Sequence, residues 1–156
     1  MPSEKRRYIN RRRDPTPPFE FLELRKLIPS MGSDRLAEIL WIRAQSDDML
    51  GKVLMVTVAL QADDLERAKL AVDYALHFPE FVRYTESGHG QILEEIKTSL
   101  ENLAGEGRTD FALNIARYAI QRAHEVAENF EEDWDWISSI ESLEEWSKNL
   151  KDRSET

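Results

Sequence analysis

Three histidines are the first residues to weigh for chemistry, and their placement argues against it. His77, His89 and His124 are never four apart, so no helix presents the paired imidazoles that grip zinc. His89 lies between Gly88 and Gly90. A loop of that kind is a good place for an acid or base, but no Ser or Cys nucleophile motif surrounds it. The acidic residues Glu131, Glu132, Asp133 and Asp135 offer oxygen ligands of the type that Mg²⁺ or Ca²⁺ takes. They lack the spacing and the glycine of a calcium-binding loop. They read better as the solvated start of a helix, with Asp133 as its cap. Neither Gly88-His89-Gly90 nor Gly105-Glu106-Gly107 has the spacing or the lysine of a phosphate-binding loop. The chain has no cysteine, which excludes disulfides, thiol catalysis and thiolate zinc sites. No catalytic residue, metal or cofactor is therefore expected, and an enzyme built on His89 is the outlying alternative.

Charge gives a stronger signal. The stretch EKRRYINRRRDPTPP, residues 4–18, crowds Lys5, Arg6, Arg7, Arg11, Arg12 and Arg13 together and ends in Pro15, Pro17 and Pro18. Residues 1–13 carry +5 while the whole chain carries −9, so the remainder is strongly acidic at −14. Such a body repels a phosphate backbone, and any nucleic-acid contact must begin at the arm. Arginine presents a planar donor fork to phosphate, and Tyr8 offers a ring for base stacking. The same run would also suit an acidic protein surface or serve only as a solubilising tail. Residues 1–17 are expected to be a flexible arm, because like charges repel and the prolines stop a helix.

The longest apolar stretch, VLMVTVAL at 53–60, is too short to span a bilayer. No apolar run comes after the basic cluster, so a secretory signal is not expected either. The sequence reads as that of a cytoplasmic, non-membrane protein. Its 41% hydrophobic content and few glycines and prolines point to an all-α domain over residues 18–150, followed by a frayed tail at 151–156.

The elements follow from spacing. Pro18 opens a short helix, PFEFLELRKLI, with Phe19, Leu22 and Leu27 on its buried side. Ser33 caps DRLAEILWIRAQ, where Leu36, Ile39, Leu40 and Arg43 form one stripe. The segment DDMLGKVLMVTVAL leaves little polar face and is expected to be a central helix buried nearly all round, with a strand as the alternative. ADDLERAKLAVDYALHF carries a stripe of Leu65, Ala68, Val72, Ala75 and Leu76. QILEEIKTSLENLAGEG repeats Ile92, Ile96, Leu100 and Leu103 before the helix stops Gly105 and Gly107. In the next segment Ala112, Ala116, Ala119, Ala123 and Ala127 fall on a narrow strip. A row of alanines lets a second helix approach to the short end of the usual range of about 8–10 Å. Helix 91–104 is the expected partner.

Trp134, Trp136 and Trp146 cluster near the C-terminus and are candidates for a partner surface. Trp134 and Trp136 point roughly 200° apart on a helix, so one of them should be buried. Short links predict antiparallel neighbours, with 34–60, 64–104 and 108–150 as stacked helical hairpins, in the manner of a short solenoid or bundle of about six helices.

DRLAEILWIRAQSDDMLGKVL, with Ala44 to Asp48 as its turn, is similar to a Leu-rich pattern in a family of uncharacterised bacterial helical proteins. The stretch that begins FPEFVRYTESGHGQ and runs on to the acidic cluster resembles the same family. Its landmarks are Phe81, Tyr84, Leu100, Leu103, Gly107, Ala116, Tyr118, Ala119 and the acidic run from Glu131 to Asp135. The resemblance covers residues 34–136. Larger relatives carry this region beside a SWIM-type zinc finger, which needs cysteines that this chain lacks. The resemblance implies a tetratricopeptide-like interaction scaffold with no catalysis. The expected role is a protein-interaction module or scaffold subunit, binding another protein or itself. The alternative is a small subunit of a nucleic-acid complex that touches phosphate through Lys5, Arg6, Arg7, Tyr8, Arg11, Arg12 and Arg13.

Overall fold

The computed structural model describes residues 16–78, 89–128 and 134–154. Residues 1–15 of the expected arm 1–17, Lys5 to Arg13 included, lie outside them. The described residues are all-α, with seven α-helices, one 3-10 helix and no strand. Contacts divide the chain into two units, residues 1–41 and 42–156.

In the first unit, α1 (Phe21–Leu27) leads into a 3-10 helix (Ile28–Met31) and then α2 (Ser33–Ala44), whose last turn belongs to the second unit. Pro29 sits in the first turn of the 3-10 helix, where its missing N–H is not needed. Gly32 takes φ +88° to turn the chain into α2, a conformation glycine reaches without Cβ strain. None of these elements contains a buried residue. Phe19, Leu22 and Leu27, expected as the buried side of the first helix, are all exposed. A two-turn helix and one neighbour enclose too little volume to remove their own apolar side chains from water.

In the second unit each of the first two helices begins where the sequence supplies a cap. Asp47 precedes α3 (Asp48–Gln61), and its carboxylate accepts from the Leu50 N–H at 3.0 Å. Asp64 does the same for α4 (Leu65–Ala75), accepting from the Arg67 N–H at 3.1 Å. Each satisfies an N–H that has no partner within the helix. Residues 53–60 are thus helical, and the strand alternative falls. α5 (His89–Gly105) ends as its glycines predict. Gly107 adopts φ +87°, its N–H bonds the Ala104 carbonyl, and the Arg108 N–H bonds the Leu103 carbonyl. This paired closure is a Schellman motif, which needs a left-handed residue at that point. α6 (Thr109–Ala127) and α7 (Trp134–Ser154) complete the unit.

α3 packs on α4 and α5, α4 on α6, and α7 on both α5 and α6, while α5 and α6 pair with each other. α3, α5 and α7 therefore make one layer and α4 and α6 the other. Lys52, near the start of α3, bonds the His77 carbonyl just beyond α4, so that pair is antiparallel. Trp136 meets Ala123, which makes α7 antiparallel to α6. Gly90 abuts Asp135 and Ser139 where both helices start, and Lys97 meets Ser142 at 2.9 Å further along, which makes α7 parallel to α5. The expected hairpin 108–150 is present as α6 on α7, whereas 64–104 is not: the chain pairs α3 with α4 and α5 with α6 instead. α4 and α5, expected as one hairpin, pack chiefly on other helices. The cause is link length. Residues 62–64 and 106–108 are tight connections that hold neighbours together, whereas the chain between α4 and α5 is long enough to start a new pair.

The core runs between the layers. Ala112, Ala116, Ala119 and Ala123 are fully buried, as the alanine strip predicts, with Ile115 beside them. Val56, Leu60, Val72, Leu76, Ile96 and Leu100 close the same core. Each fully buried Leu or Ile contributes about 1.5–3 kcal/mol.

Candidate functional site

Of the residues singled out from the sequence, the tryptophans are the most clearly sorted. Trp136 is fully buried, and its indole N–H donates to the Ala123 carbonyl at 2.9 Å. Phe78 meets its ring edge-on, with centroids 5.7 Å apart. Trp136 is thus a core residue and is withdrawn as a partner-surface candidate. Its position is fixed by period: it shares the inward stripe of α7 with Ile140 and Leu143. Trp134 lies on the opposite side at 73% exposure. Trp146 is half-buried and packs against the core.

The histidines do not converge. His77 is exposed and contributes its backbone carbonyl to Lys52. His124 and Glu144 join α6 to α7 across 2.9 Å at the surface. The backbone of His89 starts α5, and its side chain lies outside the described residues, as do Glu131, Glu132 and Asp133. Asp135 occupies the first turn of α7. Among the described residues no three of His, Asp and Glu are grouped to hold a metal.

Two polar constellations carry no motif that a sequence reading would single out. The first is Lys52, only 4% exposed. Its ammonium donates to the His77 carbonyl at 2.7 Å, stands 3.6 Å from the Asp48 carboxylate, and lies 4.0 Å from the centre of the Phe78 ring. Burial pulls its pKa below the usual lysine value, while the Asp48 charge opposes that shift. Placed at the C-terminal end of α4, the cation faces the negative pole of that helix. Its contacts with His77 and Phe78 tie α3 to the end of α4, which makes it a structural clamp. Its one sequence signal is a lysine interrupting the inward stripe of Met49, Val56 and Ala59.

The second lies between α4 and α6. Tyr118 donates to Asp73 at 2.6 Å, and Arg122 reaches the same carboxylate at 3.0 Å while also pairing with Glu125. Burial and the neighbouring Asp73 carboxylate push the Tyr118 phenol up to about 12. Arg108 bridges similarly to Asp63 at 3.1 Å and to the Gln61 carbonyl at 3.2 Å. These bonds are mutually satisfied and clamp one hairpin on the next. Among the described residues, no buried side-chain nitrogen or oxygen lacks a partner.

What remains open is apolar surface. Met55 and Val58 on α3 are 50% and 69% exposed, and Leu70 and Tyr74 on α4 are 69% and 49% exposed. The register set by Lys52 and His77 puts Met55 at the height of Tyr74 along the hairpin, and Val58 near the height of Leu70. This corrects the expectation that α3 is buried nearly all round: α3 stands at the end of its layer, and its second apolar face has no helix of the unit to cover it. A groove of about 900 Å³ runs between α6 and α7, with Leu113 and Ile120 along it. No helix of the described residues is long and apolar enough to cross a membrane. No family model, no curated protein and no solved structure matches the chain.

Proposed function

We propose that this chain is a non-catalytic helical protein-interaction module, a scaffold subunit that docks another protein through uncovered faces of its helix stack. The observation that carries the reading is the set of exposed apolar side chains Met55, Val58, Leu70 and Tyr74 on the α3–α4 hairpin. Large apolar side chains grouped on a surface are retained where a partner removes them from water. The satisfied polar clusters around Lys52 and Asp73 support the non-catalytic half of the reading, because their bonding capacity goes into holding helices together.

The test pairs a pull-down with a melting curve, using the full chain and the double variant Met55→Glu, Val58→Glu. Both positions face water, so the melting temperature should hold, since surface changes of this kind cost within about 0.5 kcal/mol. Partner recovery should fall by about tenfold or more. Equal recovery by both proteins would overturn the reading.

A second reading rests on the +5 charge of residues 1–13. In it the arm contacts nucleic-acid phosphate while the acidic body faces proteins. A gel shift at about 50 mM salt should then appear with the full chain, weaken steeply by about 200 mM, and vanish when residues 1–13 are removed. The absence of any shift at the lower salt removes this reading.

A further inference from the structure

We infer that the groove between α6 and α7 binds an acidic amphipathic helix of a partner protein. This inference rests on the interaction-module reading and adds a location and a chemistry to it. The layer pattern supplies the shape. α3, α5 and α7 form one layer and α4 and α6 the other, and among the described helices none stands beside α6 and opposite α7. A helix in that position would lie in the groove, continuing the alternation by one step.

Side chains supply the chemistry. Leu113 and Ile120 on α6 line the groove and are half-buried, so part of their apolar surface still meets water. Arg117, Lys148 and Lys151 also line it. None of these three cations has an ion-pair partner among the described residues, unlike Arg108 and Arg122, which are bound to carboxylates. The antiparallel register brings Arg117 level with Lys148, with Lys151 one turn further toward the start of α6. The middle of the groove is therefore cationic in a chain whose net charge is −9. Its ends are acidic, with Glu144 and Glu145 near Ile120 and Asp110 at the other end, and Glu144 is already held by His124 at 2.9 Å.

The complementary ligand is a helix with leucine-like residues on one face and carboxylates over its central two turns. A phosphate backbone fits poorly, because continuous negative charge would meet Asp110 and Glu145. A second copy of this acidic chain must overcome repulsion between like bodies.

The probe is a fluorescein-labelled amphipathic peptide of about 20 residues, leucines on one face and glutamates over its centre. A twin carries lysines in place of the glutamates. Fluorescence anisotropy with the full chain should show the acidic peptide binding at least about tenfold more tightly than its twin, and the preference should shrink as salt rises. In the triple variant Arg117→Glu, Lys148→Glu, Lys151→Glu the preference should invert. Circular dichroism melting confirms that this variant is folded, and the gentler set Arg117→Gln, Lys148→Gln, Lys151→Gln substitutes for it if not. Failure of the acidic peptide to bind, or binding that ignores both substitution sets, overturns the proposal. The Met55 and Val58 pull-down uses a different face, so it stands or falls independently.

Discussion

Replacing Trp136 with alanine should destabilise the protein by about 3–5 kcal/mol, the range for removing a fully enclosed large aromatic. The side chain is completely buried. Its ring takes the edge-on contact with Phe78, and its N–H is used by the Ala123 carbonyl at 2.9 Å. Truncation therefore removes packing, leaves a cavity between α6 and α7, and strips a bond from that carbonyl. Trp136→Phe separates these effects. It keeps most of the ring volume and loses the donor, while the Ala123 carbonyl keeps its place in the α6 ladder, so its cost should be smaller, near the roughly 0.5–1.5 kcal/mol of one hydrogen bond. Trp134→Ala, two residues earlier and 73% exposed, should change stability by no more than about 0.5 kcal/mol. Urea unfolding monitored by circular dichroism measures all three, and a Trp136→Ala cost below about 1 kcal/mol would contradict the assigned packing.

Gly90→Ala should destabilise by about 1–3 kcal/mol, against the usual sign for that change within a helix. Alanine is the better helix former, and at an open helical position it would help by about 0.5–1 kcal/mol. At Gly90 a Cβ would lie 2.7 Å from the Asp135 carbonyl oxygen and 2.7 Å from the Ser139 hydroxyl. The hydroxyl can rotate away. The carbonyl belongs to the backbone of α7 and yields only if the helix moves. The double variant Gly90→Ala, Ser139→Ala should thus stay destabilised, because the backbone contact survives it. Thermal melts of the two variants decide the matter. A neutral or stabilising Gly90→Ala would mean that α5 and α7 sit further apart than these distances require.

The Ala stripe of α6 and the caps Asp47 and Asp64 show how much one-dimensional information fixes locally. A carboxylate before an apolar run satisfies the free N–H groups of the next turn, whatever the helix later packs against. Gly107 likewise stops α5 through its own backbone freedom. The three-four spacing of apolar residues correctly marks the inward side of α4, α5 and α6 for the same reason: helical period is a property of the segment alone. The site was less legible. Arg117, Lys148 and Lys151 come from distant parts of the chain, and nothing in their local surroundings distinguishes them from other solvated charges.

Sequence by itself thus determined that the chain is helical, where most of its helices start and stop, which face of several of them turns inward, and that Trp134 and Trp136 must part company. Tertiary structure alone decided that Trp136 is the buried one, that α3 pairs with α4 and α5 with α6, that Lys52 is enclosed, and that Met55 and Val58 are left in water. The division has one physical cause. Capping and period depend on contacts within a few residues, whereas pairing depends on which apolar stripes bury most surface against each other across the whole chain, a competition that no single segment records.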